Sequence, residues 1–179
     1  MRIITGSARG KRLITVPGND LVRPTSEKAK EALFSSIQFD IEGRRVLDLF
    51  AGCGQLGIEA LSRGAASAVF VDRSDVSLGV VKKNLEGTPF ESDATLVKKD
   101  YLSYLASCND KFDIVFLDPP YASDFLIKAL GGVEPFVNKN GTVFCEHPAE
   151  TVLPETLGKL KAAKVYRFGK IHITTYKSE

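Results

Sequence analysis

The sequence predicts an α/β protein built on one mostly parallel β-sheet that ends in an antiparallel hairpin. Short apolar segments alternate with helical patterns from Arg45 onward. Such strand–helix repeats form right-handed crossovers and a parallel sheet with helices on both faces. Only Gly169 separates the last two apolar segments, and so short a connection joins antiparallel strands. With 179 residues, 44% of them hydrophobic, the chain can bury one sizeable core.

Each element follows from the spacing of its apolar residues and from the polar or glycine residue that stops it. The predicted parallel strands are Val46–Leu49, Ser67–Val71, Ala94–Val97, Phe112–Leu117 and Gly141–Glu146. The predicted helices are Glu27–Ile37, Leu56–Arg63, Asp75–Leu85 and Asp124–Leu130. The closing strands are Lys164–Phe168 and Lys170–Tyr176, which makes a seven-stranded sheet. At the start of the chain, Arg2–Thr5 and Lys11–Val16 predict a small β-hairpin.

These patterns divide the chain into an N-terminal extension, residues 1–40, and a main α/β domain, residues 41–179. No apolar run reaches the roughly 18–20 residues that span a bilayer, and the N-terminus lacks the apolar core of a signal peptide. The three cysteines are far apart and odd in number, which favours reduced thiols over disulfides or a zinc site. We therefore expect a cytoplasmic protein without a metal centre or membrane contact.

The net charge of +2 hides an uneven distribution. Residues 1–24 carry a net +4, residues 156–179 carry +5, and the middle of the chain carries −7. Clustered Lys and Arg are typical of polyanion binders because they release condensed counterions from phosphates. The same charges would also suit a solvated surface. The N-terminal candidates for RNA contact are Arg2, Arg9, Lys11, Arg12 and Arg23.

A glycine-rich loop follows the first predicted strand. The segment Gly52–Gly57 has the pattern G-x-G-x-x-G, in which glycines allow a tight turn and close approach of the backbone to a ligand. Asp72 lies 20 residues after Gly52, at the end of the next strand, where a carboxylate can accept both hydroxyls of a ribose. Taken alone, these features would also fit a dinucleotide.

Four predicted strands end in an aspartate, namely Asp48, Asp72, Asp100 and Asp118. The carboxyl ends of parallel strands form the crevice in which open α/β sheets bind ligands. A carboxylate there repels a pyrophosphate and suits a positively charged ligand without phosphate. S-adenosylmethionine has these properties, with a sulfonium, an amino group and a ribose. For any single aspartate, a helix cap or a turn is the alternative interpretation.

The segment Asp118-Pro119-Pro120-Tyr121 follows the fourth predicted strand. The two prolines lack N–H groups, so their carbonyls remain free, and Asp118 adds a carboxylate. Acceptors without donors suit an exocyclic –NH2 group, and Tyr121 offers a flat face for a base. A structural Pro-Pro turn is the alternative.

The combination resembles class I S-adenosylmethionine-dependent methyltransferases, with their Rossmann-like fold, of the group that modifies exocyclic amines through an (Asp/Asn)-Pro-Pro-(Tyr/Phe) motif. Within that group, the chain is similar to the RsmD family of bacterial 16S rRNA guanine-N2 methyltransferases. The supporting segments are residues 2–13 (RIITGSARGKRL), Arg23-Pro24-Thr25, residues 48–54 (DLFAGCG) and Asp118–Tyr121. The likeness extends over nearly the whole chain.

The resemblance implies a role for each matching residue. Asp48 and Ala51–Gly54 would hold the methionine part of the cofactor, and Asp72 would bind its ribose. Gly57 would allow close helix packing. The implied cofactor-binding residues are Thr25, Asp48, Ala51, Gly52, Cys53, Gly54, Gly57, Asp72, Arg73, Asp100 and Tyr101. Asp118, Pro119, Pro120 and Tyr121 are the implied catalytic residues.

The implied substrate is 16S rRNA or the assembling 30S subunit, and we expect a monomer. An adenine of DNA or RNA, or a glutamine amide, would suit the same motif. An NAD-dependent oxidoreductase that uses the glycine loop, and an RNA-binding protein without activity, are alternatives of other classes.

Overall fold

The computed structural model describes residues 1–17, 27–119 and 123–179, with a sheet of eight strands in the order β3-β2-β1-β4-β5-β8-β7-β6. The strands are β1 (Arg45–Asp48), β2 (Ser67–Asp72), β3 (Ala94–Lys98), β4 (Phe112–Leu117), β5 (Val137–Pro148), β6 (Thr156–Leu157), β7 (Leu160–Phe168) and β8 (Ile171–Ser178). The helices are α1 (Glu27–Ser35), α2 (Gln55–Ser62), α3 (Asp75–Leu85), α4 (Tyr101–Ser107) and α5 (Ser123–Val133). Among the described helices, none is long and apolar enough to cross a membrane.

The predicted architecture is confirmed, because β1 to β5 pair in parallel and β8 runs antiparallel to both β5 and β7. The strand count of seven was one short. The additional strand β6 has only two residues, which is too short for an apolar period to show. The helix α4 was also missed, although Tyr101, Tyr104 and Leu105 are buried at helical spacing.

The sheet separates two hydrophobic clusters, one on each face. The first lies beneath α1, α2 and α3 and includes Val46 and Phe116. The second lies beneath α4 and α5 and includes Leu47 and Val115. Neighbouring residues of one strand thus enter opposite clusters, as the two-residue period of a strand requires. We call the two sides the α1 face and the α5 face.

The N-terminal hairpin is present in a reduced form, with a single bridge between Arg2 and Arg12. Side chains from the main domain bind the backbone of this segment beyond the bridge. The two oxygens of Glu59 on α2 accept from the backbone N–H groups of Ile4 and Thr5, at 2.8 and 3.0 Å. Ile3 lies in the first cluster, so the extension and the main domain share a core. The division at residue 40 stays a prediction.

Glu59 is fully buried, and so is its ion-pair partner Lys30 on α1, with 3.3 Å between Nζ and Oε2. Arg63 donates to the other oxygen of Glu59 at 2.8 Å, and Lys30 also donates to the carbonyl of Arg2 at 2.7 Å. A buried charge is tolerated only when it is paired and hydrogen-bonded. This network therefore holds α1, α2 and the N-terminal segment together.

We expect Lys30→Met to lower the free energy of unfolding by up to about 3–5 kcal/mol, because it leaves the buried Glu59 carboxylate with Arg63 as its remaining cation. Denaturant titration measures the change. The double variant Lys30→Met/Glu59→Gln should recover part of the loss, since it also removes the buried charge that Lys30 had balanced. Lys98→Met, which breaks an exposed pair with Asp75, should cost less than about 1 kcal/mol. A double variant as unstable as Lys30→Met alone would contradict the proposed origin of the loss.

Candidate active site

The carboxyl ends of β1, β4 and β5 bring three carboxylates to the same edge and the same face of the sheet. In the parallel registers Asp48 is level with Phe116, Phe116 with Phe144, and Leu117 with Cys145. Asp118 is therefore next to Glu146, and both lie on the α1 face with Asp48, because Phe116 and Phe144 belong to the first cluster.

The glycine loop between β1 and α2 is held from below by two aspartates. Asp48 accepts from the N–H of Gly57 at 3.1 Å, and Asp72 accepts from the N–H of Gly52 at 3.0 Å. Gly52 and Gly54 have φ values of +55° and +80°, which L side chains rarely adopt. At Gly57 a Cβ atom would lie 2.3 Å from the Phe70 ring, so only glycine lets α2 pack this closely on β2.

Asp48 is 3% exposed. Burial raises its pKa to about 7, the Gly57 N–H lowers it, and the charge of Asp72 raises it further. A desolvated carboxylate of this kind gains most from a nearby positive charge. Asp48 therefore favours a cationic group above the loop.

Asp118 stands at the end of β4, and its neighbour Pro119 is partly buried. Burial raises the pKa of Asp118 well above its usual value, and the charges of Glu146 and Asp48 raise it further. Asp118 and Glu146 line a small cavity together with Leu33 of α1 and Leu56 of α2. Of the other predicted site residues, Pro120, Tyr121, Thr25 and Arg23 lie outside the described residues.

A row of aromatic rings surrounds Tyr101, one of the predicted cofactor-binding residues. Tyr101 lies 5.4 Å from Phe50 and 6.1 Å from Phe125 between ring centroids. Phe125 is 51% exposed, and the sequence analysis singled out neither phenylalanine. Asp100 is exposed and caps α4, accepting from Ser103 N at 3.1 Å, so it has the helix-capping use considered above. The Ser103 hydroxyl holds the pKa of Asp100 below its usual value.

The Arg73 side chain is exposed after β2. Ala51 is buried, and its N–H donates to the carbonyl of Val71 at 3.0 Å, which joins the loop to β2. Cys53 contacts Met1, with 3.9 Å between their sulfur atoms. Burial raises the pKa of the Cys53 thiol, which disfavours the thiolate and agrees with a role other than nucleophile.

Asn84 of α3 is a site residue that the sequence analysis missed. Its amide is buried, accepts from Ile14 N at 2.8 Å, and donates to the carbonyls of Ile14 and Cys53 at 3.0 and 2.9 Å. One side chain thus joins the N-terminal segment to the glycine loop. A polar residue beside the apolar pair Val80 and Val81 of α3 was the available signal.

The N-terminal basic residues lie near three different helices. Arg2 and Arg12 are exposed neighbours in the bridge, and Arg2 is 3.7 Å from Glu27 of α1. Lys11 donates to the carbonyl of Glu86. Arg9 is exposed in the turn that meets Ser62, at the end of α2 remote from the glycine loop. The structure thus brings Met1 to the loop and places Arg9 away from it.

The hydrogen-bond acceptors around the glycine loop fit a cationic ligand without phosphate. Asp48 and Asp72 supply carboxylates, and Gln55, buried in the first turn of α2, has a side-chain oxygen without a hydrogen-bond partner. The Cβ position of Gly52 faces open space. Within residues 1–17, 27–119 and 123–179, no three His, Cys, Asp or Glu side chains come together as metal ligands.

The fold, the glycine loop and the acidic strand ends define a class I S-adenosylmethionine-dependent methyltransferase. The family model described as Conserved hypothetical protein 95 matches residues 1–177, and the chain belongs to this family, the RsmD family. Membership in this family favours a methyltransferase over an NAD-dependent oxidoreductase that binds a dinucleotide at the glycine loop.

Individual relatives and a solved structure are also similar to this chain. The chain is 38% identical over 182 residues to "Putative rRNA methyltransferase YlbH" of Bacillus subtilis (strain 168), which covers 99% of this chain and 98% of that protein. It is 34% identical over 156 residues to "Ribosomal RNA small subunit methyltransferase D" of Escherichia coli (strain K12), which covers 86% and 78%. The solved structure "Putative methyltransferase yhhF from Escherichia coli" superposes with a TM-score of 0.87 at 29% identity, over 100% and 98% of the two chains.

The raised pKa of Asp48 predicts a dependence of stability on pH. Because this pKa is about 7 in the folded protein and 3.8 ordinarily, the folded state binds the extra proton between these values. Stability from Asp48 is complete below about pH 4 and is lost as the pH rises through 7, by at most about 1.4 kcal/mol per pH unit.

We therefore expect Asp48→Asn to stabilise the ligand-free protein at pH 8 and to have a smaller effect at pH 5, measured by denaturant titration at both values. The same variant should bind S-adenosylmethionine more weakly at pH 8, measured by calorimetry. Equal stability differences at the two pH values would show that Asp48 is not the titrating group.

Proposed function

We propose that this chain transfers a methyl group from S-adenosylmethionine to the N2 amine of a guanine in 16S rRNA of the small ribosomal subunit. The observation that carries the proposal is the half-buried Asp118 carboxylate at the end of β4, followed by Pro119, on the sheet edge that holds the glycine loop. The bound cofactor supplies an electrophilic methyl group on a positively charged sulfur.

Asp118 is suited to bind an exocyclic amine and to favour its reaction. Its oxygens accept N–H bonds, and the Pro119 carbonyl provides a second acceptor for the same amine. These bonds favour a pyramidal nitrogen, whose lone pair is less delocalised into the base. Positive charge then develops on nitrogen beside the carboxylate, which stabilises it. Asp118 also ionises more readily with a cation close by, and it or water takes the released proton.

The name of the Escherichia coli relative, "Ribosomal RNA small subunit methyltransferase D", supports rRNA as the substrate. The exposed arginines of the N-terminal segment suit a phosphate backbone. A base inside a helix would have to be unstacked, or already single-stranded, to reach Asp118. A cytoplasmic location follows from this substrate, and a monomeric state remains our expectation, which sedimentation would measure.

We expect Asp118→Ala to lower the rate of methyl transfer by about 10²-fold or more, because the amine loses its acceptor and the developing charge its counterion. The assay uses labelled S-adenosylmethionine with 30S particles and with naked 16S rRNA that lack the modification, followed by nucleoside analysis. Calorimetry should show that cofactor binding survives in the variant.

Glu150→Gln is the matched control, since Glu150 is an exposed carboxylate beyond β5, and it should retain full activity. Full activity of Asp118→Ala would overturn the proposed chemistry. Methylated adenosine among the nucleosides would overturn guanine as the target.

For the N-terminal segment, we expect Arg2→Ala/Arg12→Ala to weaken RNA binding and to lower the slope of log affinity against log salt by about 0.7–0.9 for each lost phosphate contact. Filter binding at several salt concentrations measures both. The control Lys128→Ala/Lys139→Ala removes the same charge from exposed positions in α5 and early β5. If both doubles change the slope equally, the arginines act through net charge and not as contacts.

A further inference from the structure

The turn between β7 and β8 lies on the same edge of the sheet as Asp118. Glu146, which is next to Asp118, pairs with Ile173 of β8, and Ile173 pairs with Tyr166 of β7. Tyr166 is therefore level with Asp118. The residues 167–171 that follow, which we call the hairpin tip, continue beyond this level on the active-site side of the sheet.

The distance from Asp118 to the hairpin tip follows from the strand order. Three strand spacings separate β4 from β7 by way of β5 and β8, which amounts to about 14 Å. A stacked nucleic-acid strand advances about 3.4 Å per nucleotide. The hairpin tip is thus within reach of phosphates about four nucleotides from a base held at Asp118.

The hairpin tip carries two exposed basic side chains. Arg167 and Lys170 are exposed, and neither side chain makes a hydrogen bond or ion pair with any described residue. Lys164, on the preceding part of β7, lies with its Nζ 4.6 Å from the centroid of the Tyr166 ring. Cations left in solvent at one end of a hairpin are available to bind anions.

Two of the three lysines at the opposite end of the hairpin are already engaged, and the third, Lys177, is exposed. Lys159 donates to the carbonyl of Val137 at 2.8 Å, and Lys161 pairs with Glu179 at 2.6 Å. The register places Lys161 beside Lys177, and Lys177 beside Thr142 early in β5, so this end lies away from Asp118. Two unengaged cations, Arg167 and Lys170, thus lie on the active-site side, and one, Lys177, lies at the opposite end.

The hairpin tip is also firmly held. His147 donates from Nδ1 to the carbonyl of Pro148 at 2.9 Å, so its Nε2 accepts from the Thr174 hydroxyl at 2.7 Å. Burial lowers the pKa of His147, which keeps this ring neutral between β5 and β8. The His172 ring lies edge-on to it at 5.9 Å, and Ala149 donates to the Lys170 carbonyl at 2.9 Å.

We propose that the hairpin tip is an RNA-binding surface on which Arg167 and Lys170 contact phosphates of the strand that presents the target base. The inference rests on the proposed function and extends it to a second anchor, on the other side of Asp118 from the N-terminal segment. The acidic pocket repels phosphates and the hairpin tip attracts them, so the two together orient the strand with its base toward Asp118.

The alternative role of these basic residues is to protect the outer edge of β7 from pairing with another sheet. Strand β6 covers β7 only at Leu160 and Lys161, with one further bond from Ala162 N to Glu155 O. Lysines on such an edge discourage pairing with another sheet. That use predicts aggregation or dimerisation on their removal and no change in RNA affinity.

The test compares Arg167→Gln/Lys170→Gln with Lys161→Gln/Lys177→Gln, which removes the same charge from the opposite end. We expect the first double to weaken binding to 16S rRNA by roughly ten- to thirty-fold at about 0.15 M salt and to lower the log–log salt slope by about 1.4–1.8. The KM for RNA should rise, with little change in kcat. Cofactor affinity, measured by calorimetry, should stay unchanged. A folding defect would lower it, so this measurement separates lost RNA contacts from misfolding.

The control double should alter RNA affinity less than about three-fold. Equal effects of the two doubles, or dimerisation of the first double in sedimentation without loss of RNA affinity, would overturn the RNA-binding surface. Absence of methyl transfer to RNA by the wild-type protein would instead contradict the proposed function, and the filter-binding comparison would still decide whether the hairpin tip binds RNA.

Discussion

The parallel pairing of β1 between β2 and β4 is the constraint on which the rest of the structure depends. It aligns Asp48 with the residues two positions before Asp72 and Asp118, so chain segments far apart in sequence end at one edge. The glycine loop then leaves β1 within reach of both Asp48 and Asp72. A register slip of one residue would turn these side chains to opposite faces of the sheet, and the loop would lose both of its acceptors.

The carboxylates within the fold lie in two different environments. Glu59 is surrounded by a lysine, an arginine and two backbone N–H groups, so its charge is neutralised within the fold. Asp48 and Asp118 face each other and Glu146 across a desolvated edge, and their pKa values are raised. The first arrangement stabilises the fold. In the second arrangement the carboxylates repel one another and are poorly solvated. A cationic ligand would stabilise their ionised form, so this edge binds such a ligand favourably.

The sequence predicted the sheet and the glycine loop because their signals are local. An apolar run, a glycine turn and an aspartate at the end of a strand lie within a few residues of one another. Asn84 was missed because its partners, Ile14 and Cys53, are remote in sequence. The Lys30–Glu59 pair had a detectable signal, since each residue lies on an otherwise apolar helical face. The binding of the N-terminal segment by Glu59 had no detectable signal, because that carboxylate comes from α2, about 55 residues later in the chain. The positions of Thr25 and Tyr121 remain sequence predictions.

The anchoring of the N-terminal segment bears on the order of events during synthesis. Its hydrogen-bond partners Glu59 and Ser62 lie about 55 residues later in the chain, and Asn84 lies 70 residues after Ile14. At roughly 5–20 residues per second, Asn84 is made about 4–14 s after Ile14. The basic segment thus emerges from the ribosome before the residues that hold it and docks only after α2 and α3 have been made. A translation pause before residue 84 would prolong the interval in which those arginines meet RNA without the scaffold that orients them.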